Sequence, residues 1–279
     1  MILDGKMIKN IILDEVKLEV SGLSFRPKLV VIQVGNEYAS NVYIDQKINM
    51  CNYVGYEYEV INFDIDVKID EVLCCIDKLN NDDRVTGIMV QLPLPNSIDM
   101  NKVINSISPF KDVDGLTDIN RGMLLSGMDG LYPCTALGVM ELIKRYNISV
   151  SGRRVVIVGR SLLVGKPVSM MLLNNDATVT ICHSKTENLK DITKSADILI
   201  VAVGKANFIT DDMIRDDVVV IDVGINRTVN GLCGDVDFAS VKDKCRYITP
   251  VPGGIGPMTI AMLAKNILMA YKIQKEKKG

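Results

Sequence analysis

Nowhere in the 279-residue chain does an apolar run approach the length needed to cross a bilayer, which argues against a helical membrane span. Histidine is almost missing. His183 stands alone, and carboxylates do not cluster at ligand spacing, so a multi-histidine metal centre is excluded and no metal is expected. The seven cysteines (51, 74, 75, 134, 182, 233 and 245) are odd in number and form no CxxC pair, which suits a reducing cytoplasm better than a disulfide framework. An excess of charge is also lacking: 32 basic residues against 34 acidic give a formal net charge of -2, which offers nucleic acid and anionic membranes no footprint. The basic tail from Lys272 is short and reads as a solvated helix end. The opening MILDGKMIKNIILDEV is broken by charge every few residues, unlike a secretory signal. A cytoplasmic protein is expected.

What is present is an ordinary globular composition, 48% hydrophobic and 24% charged. The length exceeds what one core usually holds, so two domains are expected. Ile8, Ile11, Ile12 and Val16 recur at helical spacing. KLVVIQVG (28–35), YEYEVINF (56–63) and GIMVQLP (87–93) read as strands, with helices at 40–53 and 66–80 between them. That alternation implies a parallel sheet flanked by helices. After a loop-rich stretch and a helix near 136–147 the pattern restarts with RRVVIVG (153–159), a helix from about 165, ATVTICH (177–183), ADILIVAVG (196–204) and VVVIDVG (218–224). The second half therefore reads as a doubly wound, Rossmann-type nucleotide-binding domain. The fold class expected is two-domain α/β, and the final helix is expected to return to the first domain. The boundaries drawn are residues 1–120 plus 257–279 for one domain and 121–256 for the other.

In GRSLLVGKP (159–167), Gly159, Ser161 and Gly165 punctuate a strand-to-helix turn, where small residues let backbone amides approach a pyrophosphate. The spacing departs from GxGxxG, and an ordinary turn would also fit it. Context favours the phosphate reading, because Gly204 and Gly224 close later strands of the same sheet. The second strand ends in Cys182-His183-Ser184-Lys185 without the acid that would hold an NAD ribose. With Arg160 nearby, this end can accept a 2'-phosphate, which points to NADP. His183, alone, fits a structural or cofactor-side role.

Ser40, Tyr43 and Lys47 lie at i, i+3 and i+7 and share one helical face. A solvated polar face has the same spacing; a catalytic base requires that burial or a nearby cation lower the lysine pKa. Gln91, at a strand end, could orient such a lysine. Asp114 in KDVDGL could bind a donor-rich heterocycle or merely form a turn. Tyr-x-x-x-Lys also occurs in short-chain dehydrogenases, but there the glycine loop precedes it, the reverse of the order here. PVPGGIGPM (250–258) builds neither helix nor strand. It reads as a backbone wall against a ligand between the domains, or as a rigid connector.

Taken together, Tyr43-xxx-Lys47, VQLPLP (90–95), KDVDG (111–115), PCT (133–135), VGRSxxVGxP (158–167), HSKT (183–186), VIDVGIN (220–226), GDV (234–236) and ITPVPGGIGPMT (248–259) resemble the bifunctional methylenetetrahydrofolate dehydrogenase/cyclohydrolases along the whole chain. The resemblance implies oxidation of methylenetetrahydrofolate with NADP to the methenyl cation, then hydrolysis to 10-formyltetrahydrofolate. Such one-carbon units enter purine, methionine and histidine synthesis. By the same resemblance Lys47 is the catalytic base, Tyr43 flanks the folate, Gln91 supports Lys47 and Asp114 anchors the pterin. Ser40, Leu92, Pro93, Pro252, Gly253, Gly254 and Pro257 would line the folate side. Gly159, Arg160, Ser161, Val164, Gly165, Ser184, Val203, Gly204, Gly224 and Ile225 match the NADP side. The first domain would then hold folate, the second NADP, with the cleft between them in a homodimer. Two residues depart from the family pattern: Ala136 replaces the proline after PCT, and Leu116 the phenylalanine after KDVDG. A dehydrogenase without cyclohydrolase activity and a non-catalytic NADP sensor are the competing functions.

Overall fold

The computed structural model describes residues 1–279 except Glu37, Asn230, Lys278 and Gly279, and omits the side chains of Tyr38, Ala39 and Ser40. In chain order the elements are α1 (Gly5–Ser21), β1 (Lys28–Val34), α2 (Tyr38–Val54), β2 (Glu57–Phe63), α3 (Ile69–Asn81), β3 (Gly87–Val90), α4 (Met100–Asn105), α5 (Asp118–Leu125) and α6 (Cys134–Arg145). There follow β4 (Arg154–Val158), α7 (Gly165–Leu173), β5 (Thr178–Cys182), α8 (Leu189–Lys194), β6 (Ile198–Val201) and β7 (Val218–Asp222). The hairpin β8 (Asn226–Thr228) and β9 (Gly231–Cys233), then α9 (Phe238–Val241), β10 (Cys245–Ile248) and α10 (Ile255–Glu276), complete the chain. Two compact units result, one of residues 11–134 with 260–279, the other of residues 1–10 with 135–259. Residues 1–10, 121–134 and 257–259 thus fall on the opposite side of the division drawn from the sequence.

In the unit of residues 11–134 and 260–279, an all-parallel sheet runs in the order β2-β1-β3. Central β1 is buried along its length from Leu29 to Val34 and is apolar there but for Gln33, whereas edge strand β2 is partly to fully exposed. β3 stops at Val90, short of the expected Pro93. Pro93 has no N–H to continue a ladder, and the Leu92–Pro93 peptide is cis. Val30, Ile32, Ile76, Ile88, Val103 and Leu116 meet in one core, each such side chain contributing about 1.5–3 kcal/mol. α3 buries Val72 and Ile76, with Asp70 and Glu71 in its first turn and Lys78 in its last, as the helix dipole favours. The α10 turns belonging to this unit are bonded into it: Tyr56 Oη donates to Ala264 O at 2.9 Å, and Gln274 Nε2 donates to Thr86 O at 2.8 Å.

The other unit carries a five-stranded parallel sheet, β10-β7-β6-β4-β5. From β4 the chain adds β5 on one side and β6 on the other, so the strand order reverses at the carboxyl end of β4. In open α/β sheets ligands settle at such a switch point. Residues 1–3 extend the sheet beside β10, Leu3 N donating to Ile248 O at 2.8 Å. The elements missing from the sequence reading are short: α4, α5, α8, α9, β10 and the β8–β9 hairpin have eight residues or fewer, too few for a period to show. On α1 the buried stripe is Ile8, Ile12, Leu13, Val16 and Val20; Ile11 turns outward, 42% exposed.

Candidate active site

α2 carries both Tyr43 and Lys47, one turn apart. Lys47 is a buried lysine, 6% exposed, and its Nζ donates to Gln91 Oε1 at 2.6 Å. Gln91 follows directly on β3; its backbone N–H donates to Ile32 O at 2.8 Å and its side-chain Nε2 to Leu92 O at 2.7 Å. The amide is therefore oriented, with only its oxygen left for the lysine. Burial pushes the Lys47 ammonium below its ordinary pKa, partly opposed by the Asp114 carboxylate and the Cys134 thiol. A lysine whose ammonium is disfavoured by burial gives up its proton more readily than an exposed one. Tyr43, one turn before Lys47, is 43% exposed. The Ser40 side chain lies outside the described residues.

Asp114 sits in a loop held from several directions. The buried Asp112 carboxylate accepts from Leu116 N (3.1 Å), Thr117 N (2.8 Å) and Asn120 Nδ2 (2.9 Å), building the turn that presents Asp114. From α10, Asn266 Nδ2 donates to Val113 O at 2.8 Å and Tyr132 O at 2.9 Å. Gly115 has φ +68°, and a Cβ there would strike the backbone of Tyr132 and Pro133. Burial raises the Asp114 carboxyl to about 6; Lys47 opposes the shift, while Asp112 adds to it. The Cys134 thiol, facing Asp114, is pushed well above its ordinary range, mostly by burial. Lys47, Asp114 and Cys134 thus act on one another's charge, with Gln91 hydrogen-bonded to the lysine. Leu116, one of the two departures, is a core residue, and Ala136 is fully buried in the other unit.

In that other unit the parallel register puts the ends of β4, β5, β6 and β7 along one edge, Val158 beside Cys182 and Val201, and Val201 beside Asp222. Gly159, Ser184, Gly204 and Gly224 follow these ends. The turn from β4 into α7 is a cradle that only glycine can line. Gly159 has φ +128° and a Cβ on it would meet Ala202 O; a Cβ on Gly165 would meet Gly159 O. Ser161 Oγ accepts from Val164 N at 3.1 Å, holding the turn. Arg160 and Ser184 are exposed at this edge, with no carboxylate at the end of β5. His183 Nδ1 accepts from Lys185 N at 3.2 Å, a turn-stabilising contact. A pocket beside β7 gathers Gly224, Ile225, Leu232, Pro252, Gly253, Gly254 and Pro257. Residues assigned from the sequence to the folate and NADP sides therefore share its lining.

Two carboxylates stand behind this edge. Asp222 accepts from Gly224 N, Asp235 N and Val236 N at 2.8–3.0 Å, and its burial lifts its pKa to about 6. Asp235 accepts from Val203 N, Gly204 N, Lys205 N and Asn226 Nδ2. Neither was singled out from the sequence, nor were Asp112, Cys134 and Asn266. Asp222, Asp235 and Cys134 lay inside the motifs VIDVG, GDV and PCT, which was signal enough. Asn266 offered only an amide on an apolar helix face.

A glycine-lined cradle at the switch point of a parallel sheet, in a chain with a buried, amide-oriented lysine on a second sheet-bearing unit, defines the class: a dinucleotide-dependent α/β enzyme. Comparison with known proteins makes it particular. Residues 3–114 match the tetrahydrofolate dehydrogenase/cyclohydrolase catalytic domain, and residues 133–275 match the NAD(P)-binding domain of the same family. The Bifunctional protein FolD of Rickettsia bellii is 50% identical over 278 residues, covering 98% of each chain. That of Agathobacter rectalis is 51% identical over 275 residues, 97% of this chain and 99% of its own. Among solved structures, the bifunctional FolD methylenetetrahydrofolate dehydrogenase/cyclohydrolase of Campylobacter jejuni superposes with a TM-score of 0.96 at 45% identity, covering 98% of both chains. The Trypanosoma brucei dehydrogenase-cyclohydrolase, complexed with NADP cofactor and inhibitor, gives 0.92 at 34%, covering 98% and 97%. The chain belongs to the tetrahydrofolate dehydrogenase/cyclohydrolase family. It is an NADP-dependent methylenetetrahydrofolate dehydrogenase and methenyltetrahydrofolate cyclohydrolase.

Proposed function

We propose that Lys47 is the proton-handling group of the cyclohydrolase step, oriented by Gln91, with Asp114 anchoring the pterin and Tyr43 flanking the folate. The observation that carries this is the 2.6 Å bond from a buried Lys47 to a side-chain amide that cannot turn away. Hydride leaves the methylene carbon and a methenyl cation forms; NADP, when bound, supplies the hydride acceptor. Water then adds to the cationic carbon. Lys47 takes the proton that the attacking water must lose and delivers one to the ring nitrogen whose bond to that carbon breaks, while the remaining hydroxyl proton leaves to solvent as the formyl C=O forms. The ring opens to 10-formyltetrahydrofolate. No step requires a metal, and among the described residues no group of three or more potential ligands occurs.

The cofactor side of the proposal rests on the Gly159–Gly165 cradle, with Arg160 and Ser184 receiving the 2'-phosphate. Ser161, Val164, Val203, Gly204, Gly224 and Ile225 complete that side. Ser40, Leu92, Pro93 and the Pro252–Pro257 run complete the folate side. A homodimer working in the cytoplasm, with no nucleic-acid or membrane partner, fits the near-neutral charge and the absence, among the described residues, of a helix long and apolar enough to cross a membrane. The test is to mix the protein with methylenetetrahydrofolate and either NADP or NAD, following reduced cofactor and methenyl absorbance together. Reduction of NADP with methenyl compound that forms and then decays is expected. Methenyl compound that accumulates without enzymatic decay would remove the Lys47 mechanism.

A further inference from the structure

We infer that Asp235 is a positioning residue for the dinucleotide, its carboxylate tying together the loops that follow β6 and β7. Asp235 has no solvent exposure. One oxygen accepts from Val203 N at 2.6 Å and Gly204 N at 2.9 Å; the other accepts from Lys205 N at 2.8 Å and Asn226 Nδ2 at 2.9 Å. Four donors fill the acceptor capacity of one ionised carboxylate. Three are consecutive backbone amides, a nest that closes only around an anion. The fourth comes from the other loop, so a single side chain spans residues 203–205 and 226.

The carboxylate is itself fixed. Its backbone N–H donates to Asp222 Oδ1 at 3.0 Å, and that same oxygen accepts from Gly224 N at 2.9 Å. A Cβ on Gly224 would occupy the space of the Asp235 carboxylate, so the bare glycine lets the two loops close on each other. A chain of contacts thus runs from the end of β7 through Asp222 to Asp235 and out to Gly204 and Asn226. Preorganised backbone of this kind keeps its shape before a ligand arrives.

The inference rests on the proposed placement of the cofactor against Val203, Gly204, Gly224 and Ile225, and it assigns the residue that holds them there. Asp235→Asn keeps the shape but turns an NH2 group toward two donors. Loss of charge-assisted bonds should raise the NADP Kd by about tenfold or more. Hydrolysis of methenyltetrahydrofolate needs no hydride acceptor and should stay within about twofold of the parent. An unchanged NADP Kd overturns the inference. So does an equal fall of both activities with a lowered thermal midpoint, which would mark a general structural role. Hydrogen exchange on the parent protein separates the two layers: NADP should protect residues 203–205 and 224–226. Absent protection means that the cofactor placement, and the inference with it, has failed. If Asp235→Asn does not fold, Asn226→Ala removes one donor only. A rise of about threefold in NADP Kd with cyclohydrolase retained supports the assignment; no change overturns it.

Discussion

Gln91 offers Lys47 an oxygen and nothing else, because its NH2 group is committed to Leu92 O at 2.7 Å while Oε1 accepts from Lys47 Nζ at 2.6 Å. A neutral acceptor orients the amine without adding charge, so burial still governs its pKa and holds it low. Gln91→Glu replaces that acceptor with an anion, which favours the ammonium form. The cyclohydrolase rate should rise with pH as the Lys47 amine loses its proton. In Gln91→Glu that limb should move to higher pH, with activity near neutrality reduced at least about tenfold. A pH–rate profile with an unmoved limb would separate Lys47 from the titration.

Asp114 titrates near 6 because burial disfavours its anion. If the anion binds N–H donors of the folate, affinity should weaken as pH falls through about 6, the carboxylate then taking up a proton. Asp114→Asn should abolish that limb and raise the folate KM by about 5–150-fold, the equivalent of about 1–3 kcal/mol, with NADP affinity unchanged. Folate KM measured from pH 5 to 8 in both proteins checks this.

The two parallel sheets were legible because buried parallel strands are written as Val/Ile runs closed by glycine, as in 28–35, 153–159 and 218–224. Lys47 and Asp114 were legible only as candidates: helical spacing cannot distinguish a solvated lysine from one 6% exposed, and the proposed role of Lys47 depends on that difference. The resemblance, not the spacing, singled them out. Asn266 was not legible, since it acts by bonding a backbone group distant in sequence, Val113 across 153 residues.

On the proposed cofactor side, Arg160 is the residue expected to set cofactor choice. It is exposed beside the Gly159 cradle, at an edge where no acid ends β5. Arg160→Ala should cost NADP about 1–3 kcal/mol of binding and NAD much less. Titration of both cofactors into parent and variant checks it; equal losses would remove Arg160 from the 2'-phosphate.

Gly165 tests the cradle itself. A Cβ there would collide with Gly159 O, so Gly165→Ala must displace the turn. NADP Kd should rise at least about tenfold, a cost of about 1.4 kcal/mol, while methenyl hydrolysis persists. Retained NADP affinity would show that the cofactor does not use this turn.

Lys47→Met tests the central claim most directly. Methionine keeps much of the apolar stem and deletes the charge and exchangeable protons. Methenyltetrahydrofolate hydrolysis should fall by about 10²–10⁴-fold, with NADP affinity at the parental value and part of the hydride-transfer activity surviving. The three quantities are measured on one preparation of folded protein. A variant that binds NADP normally and hydrolyses the methenyl compound at the parental rate would contradict Lys47 as the proton-handling group.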